Sequence, residues 1–152
     1  MMPRPVASDE IRIEIELRWR DLDTLGHLNQ AVYHELLEEG RAALFKRLGV
    51  IDTDFFFVLA RVELDYRHEV RRDDSPVAVV LRVPSVGRSS VVVAHEIVLP
   101  DGTVAAEGRS VLVAWDREQR RSRPLEESER VRLGADLAQE VDERPGGGRE
   151  GA

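Results

Sequence analysis

The order and spacing of the apolar runs constrain this chain more than any other feature. One strand pattern is followed by one long helical pattern, and then by strand patterns whose connections are too short to hold another helix. Parallel neighbours need a crossover of roughly a dozen residues or more, so short connections predict an antiparallel sheet with one helix on a face. Ile11, Ile13, Ile15, Leu17 and Trp19 alternate with Arg12, Glu14, Glu16 and Arg18, which predicts a half-buried strand over 11–19. Asn29 stands as N-cap for a helix over 29–48 carrying Val32, Leu36, Ala43, Leu44 and Leu48, and Gly49 is placed to stop it. Val62, Leu64, Tyr66, His68 and Val70 alternate with charged residues as a second strand reaching back to Phe56. Val77–Val83, Val91–Leu99 and Val104–Trp115 complete the strands, with Pro100, Asp101 and Gly102 supplying turn chemistry. Pro124 opens a short second helix with Leu125, Val131, Leu133 and Leu137, and the Pro145–Gly148 run has the composition of a disordered tail. The expectation is an α+β domain over 1–144 and a tail over 145–152.

Several function classes drop out at once. The 152 residues are enough for one domain with its own core. No apolar run approaches the roughly 20 residues of a membrane span. No membrane association is expected, and with no secretory pattern at Met1–Pro5 and no cysteine the reading is cytoplasmic. A formal net charge of −7 disfavours nucleic acid, although a local arginine cluster can still hold a small anion. Without thiols, chemistry must come from carboxylates, histidines, hydroxyls or backbone dipoles.

The segment between the first strand and the helix holds Asp21, Asp23, Gly26, His27, Asn29, Gln30 and Tyr33. In this order they resemble the signature of hotdog-fold thioesterases near 4-hydroxybenzoyl-CoA thioesterase, and the likeness runs on through Glu38 and Arg41. Locally, and again at Tyr66–Glu69, the chain is also similar to plant acyl-carrier-protein thioesterases. The resemblance covers about residues 11–115. It implies a hotdog fold, an antiparallel five-stranded sheet wrapped around one long helix, assembled as a homodimer or a dimer of dimers. It also implies an acyl-CoA substrate cleaved to free acid and CoA without a cofactor.

On spacing alone Asp23 reads as a turn carboxylate; the resemblance gives it the catalytic position, as nucleophile or general base. The backbone amide of Gln30, in the first helical turn, is expected to donate to the thioester oxygen. His27 and Glu69 match further catalytic positions of the plant enzymes, but Leu25 replaces the asparagine found there. Asp21 reads as a turn former or a partner for Arg18 or Arg20, Asn29 as cap and loop anchor, and Tyr33 as a core or interface residue at the substrate. Glu38 and Arg41 are spaced to pair along the helix. Arg88, Ser89 and Ser90, between two strands, fall where related enzymes contact the CoA nucleotide, and Arg121 and Arg123 are further phosphate candidates. His34 and Glu35 begin a zinc-protease pattern, but Glu38 stands where its second histidine belongs, so no metal is expected. His68 and His95 read as ordinary strand residues.

Two other functions compete with this reading. A hydratase of this fold carries Asp-x-Asn-Pro-x-His, which this chain lacks. A non-catalytic acyl-CoA-binding module is the alternative if Asp23 is merely structural, and a carrier-protein thioester is the alternative substrate.

Overall fold

A computed structural model describes residues 10–50 and 56–134. The expected tail over 145–152, the end of the proposed domain and Leu137 lie outside these residues. The elements run β1 (Ile11–Ile15), a 3₁₀ turn (Trp19–Asp21), α1 (Gln30–Leu48), β2 (Phe57–Tyr66), β3 (Val77–Val86), β4 (Ser90–Val98), β5 (Val104–Asp116), β6 (Arg121–Ser122) and α2 (Glu127–Arg132). Every described strand pairing is antiparallel, in the order β1-β3-β4-β5-β2, and the two-residue β6 adds to β5. The sheet curls around α1, so the hotdog architecture implied by the resemblance is the one found.

α1 forms where expected. The Asn29 side chain accepts from the Ala31 amide and Gly49 closes the helix in the left-handed conformation. Its buried residues, Val32, Tyr33, Leu36, Leu37, Gly40, Arg41, Leu44 and Phe45, recur at helical spacing and lie against Val77, Val79, Leu81, Val91, Val93 and Ile97 of the sheet. Leu37 and Leu44 are wholly buried, and each such side chain contributes roughly 1.5–3 kcal/mol. No helix among the described residues is long and apolar enough to cross a membrane.

Three sequence expectations need correction. β1 stops at Ile15, not Trp19, because the chain leaves the ladder: the Leu17 amide donates to Ser75 Oγ and the Arg18 amide to Asp21. Trp19 lies in the 3₁₀ turn with 79% of its surface exposed, beneath the Arg72 guanidinium. β2 ends at Tyr66, so His68 and Val70 fall outside it; the Val70 carbonyl accepts from Leu28 instead. Arg41 turns inward and donates to Ser110 Oγ at 3.0 Å, so Glu38 acts on it as a nearby charge rather than as its hydrogen-bond partner.

That contact belongs to a buried polar chain. Ser110 Oγ is 3.2 Å from His95 Nδ1, and His95 Nε2 is 3.2 Å from the Glu63 carbonyl. A carbonyl only accepts, so Nε2 carries the proton, and Nδ1 of a neutral ring accepts from the Ser110 hydroxyl. Burial, with the Arg41 cation adding to it, pushes His95 down to about 4. The unfolded chain takes up this proton near pH 6.5 and the folded chain only near 4, so stability is full above pH 6.5 and falls as the pH drops through that window. Between pH 6.5 and 5 the wild type should lose about 2 kcal/mol that His95→Gln does not lose. Urea titrations of both proteins across this range test it, and parallel pH profiles would contradict it.

Candidate active site

The loop between β1 and α1 is organised around its two carboxylates, which face opposite ways. Asp21 is 2% exposed. It accepts from the Arg18 amide at 2.7 Å and from Arg18 Nη2 at 2.9 Å, while Arg18 also reaches Glu35 on α1 at 3.3 Å. Burial alone would raise the Asp21 carboxyl, but the hydrogen bonds and charge of Arg18 outweigh it and hold the group below its ordinary value. The Asn29 amide donates to the Asp21 carbonyl, fixing where the helix starts. Asp21 and Asn29 thus anchor the loop from behind.

Asp23 is exposed at the loop tip. Its Oδ1 accepts from the amides of Leu25 (2.8 Å) and His27 (3.1 Å), and Asp23 N donates to the His27 carbonyl at 2.8 Å. Gly26 makes this tight return possible at a φ of 81°, where side chains are disfavoured. The His27 and Leu25 amides hold the Asp23 carboxyl below its usual range, so it is ionised at neutral pH. Both of these amides are taken by Oδ1 and neither by Oδ2.

His27 meets Glu69 across the chain, with Nε2 2.7 Å from Oε1 and both side chains about two-fifths exposed. Pairing of His27 with Arg71 and of Leu28 with Val70 lays the two segments side by side, and the wholly buried Val70 pins the second one down. A cavity of about 420 Å³ opens here, lined by Leu25, Gly26, His27, Glu69, Arg71, Arg72 and Asp73. Arg71 and Arg72 are residues the sequence reading missed; they follow a strand pattern, and nothing local ties them to a loop more than forty positions earlier.

At the start of α1 Asn29 takes two amides, Ala31 through Oδ1 and Val32 through its carbonyl. Among the described residues the Gln30 amide has no such acceptor, which leaves a helix-start N–H for a ligand oxygen. Tyr33 is buried one turn on, edge-to-face with Tyr66 at 4.8 Å. Burial raises its hydroxyl pKa, so it stays neutral. Asp23, His27, Asn29, Gln30, Tyr33 and Glu69 therefore share one end of the molecule. Among the described residues no group of three or more His, Cys, Asp or Glu is placed to hold a metal ion.

Arg88, Ser89, Ser90, Arg121 and Arg123 lie elsewhere. The turn before β4 touches α2 through Arg130, and the Arg132 side chain reaches Gly49, so this group sits at the C-terminal end of α1. A 19-residue helix is roughly 28 Å long, which separates the two groups within one protomer. Arg88 and Arg121 are exposed, whereas Arg123 is committed to Glu129, donating to both its oxygens at 2.9 and 2.8 Å.

A family model for the thioesterase-like superfamily matches residues 17–139. A thioesterase from Thermus thermophilus, solved in complex with coenzyme A and zinc, is 35% identical; the match covers 88% of this chain and 95% of that one, with a TM-score of 0.70. The PA5185 protein of Pseudomonas aeruginosa strain PAO1 is 26% identical over 87% of this chain and 95% of its own, with a TM-score of 0.74. A 1,4-dihydroxy-2-naphthoyl-CoA thioesterase from Synechocystis shares the fold at 15% identity and a TM-score of 0.73, over 85% of this chain and 98% of its own. No curated protein sequence matches the chain. With four-fifths of its length inside the family match, the chain belongs to the thioesterase-like superfamily.

Proposed function

We propose that this protein hydrolyses an acyl-CoA thioester, with Asp23 as the central catalytic group. The observation that carries the reading is the meeting, at the start of α1, of an ionised exposed carboxylate, an uncommitted Gln30 amide and the His27–Glu69 pair. The thioester oxygen takes the Gln30 hydrogen bond, which strengthens as the carbonyl becomes a tetrahedral oxyanion. Asp23 acts as nucleophile or as general base. The two amides that lower its basicity favour attack by Oδ2 on the acyl carbon, with the C–S bond breaking and CoA leaving as thiolate. Water then attacks the resulting anhydride and gives a proton to His27, steadied by Glu69, and the acid departs as Asp23 is freed.

The site is complete in a pair of chains. β2 is an edge strand with Leu59 and Tyr66 exposed, and its outer side has no partner strand in the sheet order among the described residues. Antiparallel pairing of two β2 edges sets the Phe57 end of one protomer beside the Tyr66 end of the other. The exposed Arg88 and Arg121 of one copy, with Ser89 and Ser90, then lie toward the catalytic loop of its partner, where the CoA phosphates need positive charge. Arg123, held by Glu129, supports that surface. The coenzyme A in the Thermus thermophilus relative supports the choice of CoA.

The test is a panel of acyl-CoA esters, assayed for free thiol with protein whose mass is measured by light scattering. Hydrolysis of at least one ester by a dimer or larger assembly is expected. Turnover of carrier-protein thioesters alone, or full activity in a strict monomer, would overturn the corresponding part.

A further inference from the structure

We infer that Arg130 of α2 is a positioning residue for the nucleotide end of the substrate, holding the Gly87–Ser90 turn in shape through its backbone. The inference rests on the proposed landing of the CoA phosphates at this turn. The turn's four carbonyls are all engaged: Gly87 by Arg130 Nη1 at 2.6 Å, Arg88 by the Leu125 amide, Ser89 by the Ala114 amide and Ser90 by the Gly87 amide. Two of the four contacts come from the segment after β6, which is itself tied down. Glu129 is fully buried, is gripped by Arg123 through two hydrogen bonds and accepts from the Glu126 amide at 2.8 Å. Arg130 is 6% exposed and sits next to Glu129, so its guanidinium reaches Gly87 from a fixed base.

A turn whose carbonyls are all occupied cannot rearrange cheaply, while the Arg88 side chain stays exposed for a ligand. The phosphates are held well only if the charge and hydroxyls that meet them are arranged before binding, because ordering them on binding costs affinity. α2 supplies that arrangement without touching the reacting atoms.

The experiment compares an acyl-CoA with the same acyl group on pantetheine, which lacks the nucleotide, for wild type, Arg88→Ala, Arg130→Met and Arg130→Lys. Arg130→Met should raise KM for the CoA ester about fivefold, with kcat unchanged and no shift for the pantetheine ester. Arg130→Lys, which can still donate to Gly87, should recover part of this. Arg88→Ala tests the nucleotide reading itself and should raise KM in the same selective way. If Arg88→Ala does so while both folded Arg130 variants match wild type, the inference is wrong and the nucleotide reading stands. Equal losses on both substrates for Arg130→Met would also overturn it, since they report a general structural defect. No effect of Arg88→Ala removes the nucleotide reading and this inference with it.

Discussion

Asp23→Asn is expected to lower kcat by at least about a hundredfold without unfolding the protein. The substitution separates the two jobs of this side chain. Oδ1 of asparagine still accepts from the Leu25 and His27 amides, so the loop tip keeps its closure. What is lost is Oδ2 as an anionic oxygen, replaced by an amide nitrogen that neither attacks a carbonyl nor takes a proton from water. His27, Glu69 and the Gln30 amide remain, so residual turnover above solution hydrolysis should persist. The measurement is steady-state hydrolysis of the best ester from the panel, alongside a thermal melt. Turnover within a few-fold of wild type, in protein that melts normally, would remove Asp23 from the mechanism.

Gly108→Ala is the change expected to cost most stability. Gly108 pairs with His95 on one side and Leu64 on the other, and a Cβ placed on it would lie 1.9 Å from the Glu63 carbonyl oxygen and 2.7 Å from its carbon. These are backbone atoms, which cannot rotate aside as a side chain does. β2 must therefore move away from β5, and the same movement pulls the Glu63 carbonyl from His95. The combined strain and lost hydrogen bonding should cost about 2–4 kcal/mol, read as a lower urea midpoint. A loss below about 0.5 kcal/mol would mean that β2 adjusts more freely than its long pairing with β5 suggests.

Elements governed by neighbours in sequence were legible from the residues alone. The alternation of Ile11, Ile13 and Ile15, the Asn29 cap and the Gly49 stop are local, and each stands where its chemistry requires. The alternation through Leu17 and Trp19 misled because Ser75 and Asp21 capture the amides of Leu17 and Arg18, and side-chain capture competes with a strand ladder. His95 looked ordinary because its burial matters only through Arg41, Ser110 and Glu63, partners that no periodicity links to it. The site divides in the same way. A turn carboxylate at position 23 was evident from residue type, but its catalytic reading came from the likeness to known thioesterases. The contact between His27 and Glu69 could not be read from spacing, since it depends on how the segment after β2 folds back beside the loop. Arg123 looked like a free phosphate ligand because Glu129 is six residues further on, past a proline, and its burial is a tertiary fact.

The two capped ends of α1 limit how a chain of this kind can change in length. Each residue inserted into a helix turns everything beyond it by about 100° and advances it by about 1.5 Å. One insertion after Leu37 would swing Arg41 away from Ser110 and carry Leu44 and Phe45 off the sheet, so length there is frozen by packing on one side and by a polar contact on the other. The Leu99–Thr103 turn is anchored by Leu99, which is packed in the core, but its tip is not held in this way. It closes on itself through the Leu99 and Gly102 amides, and Asp101 and Gly102 at its tip are exposed. Relatives that gain or lose residues therefore have room to do so at that turn, and insertion scanning or loop grafting would start there.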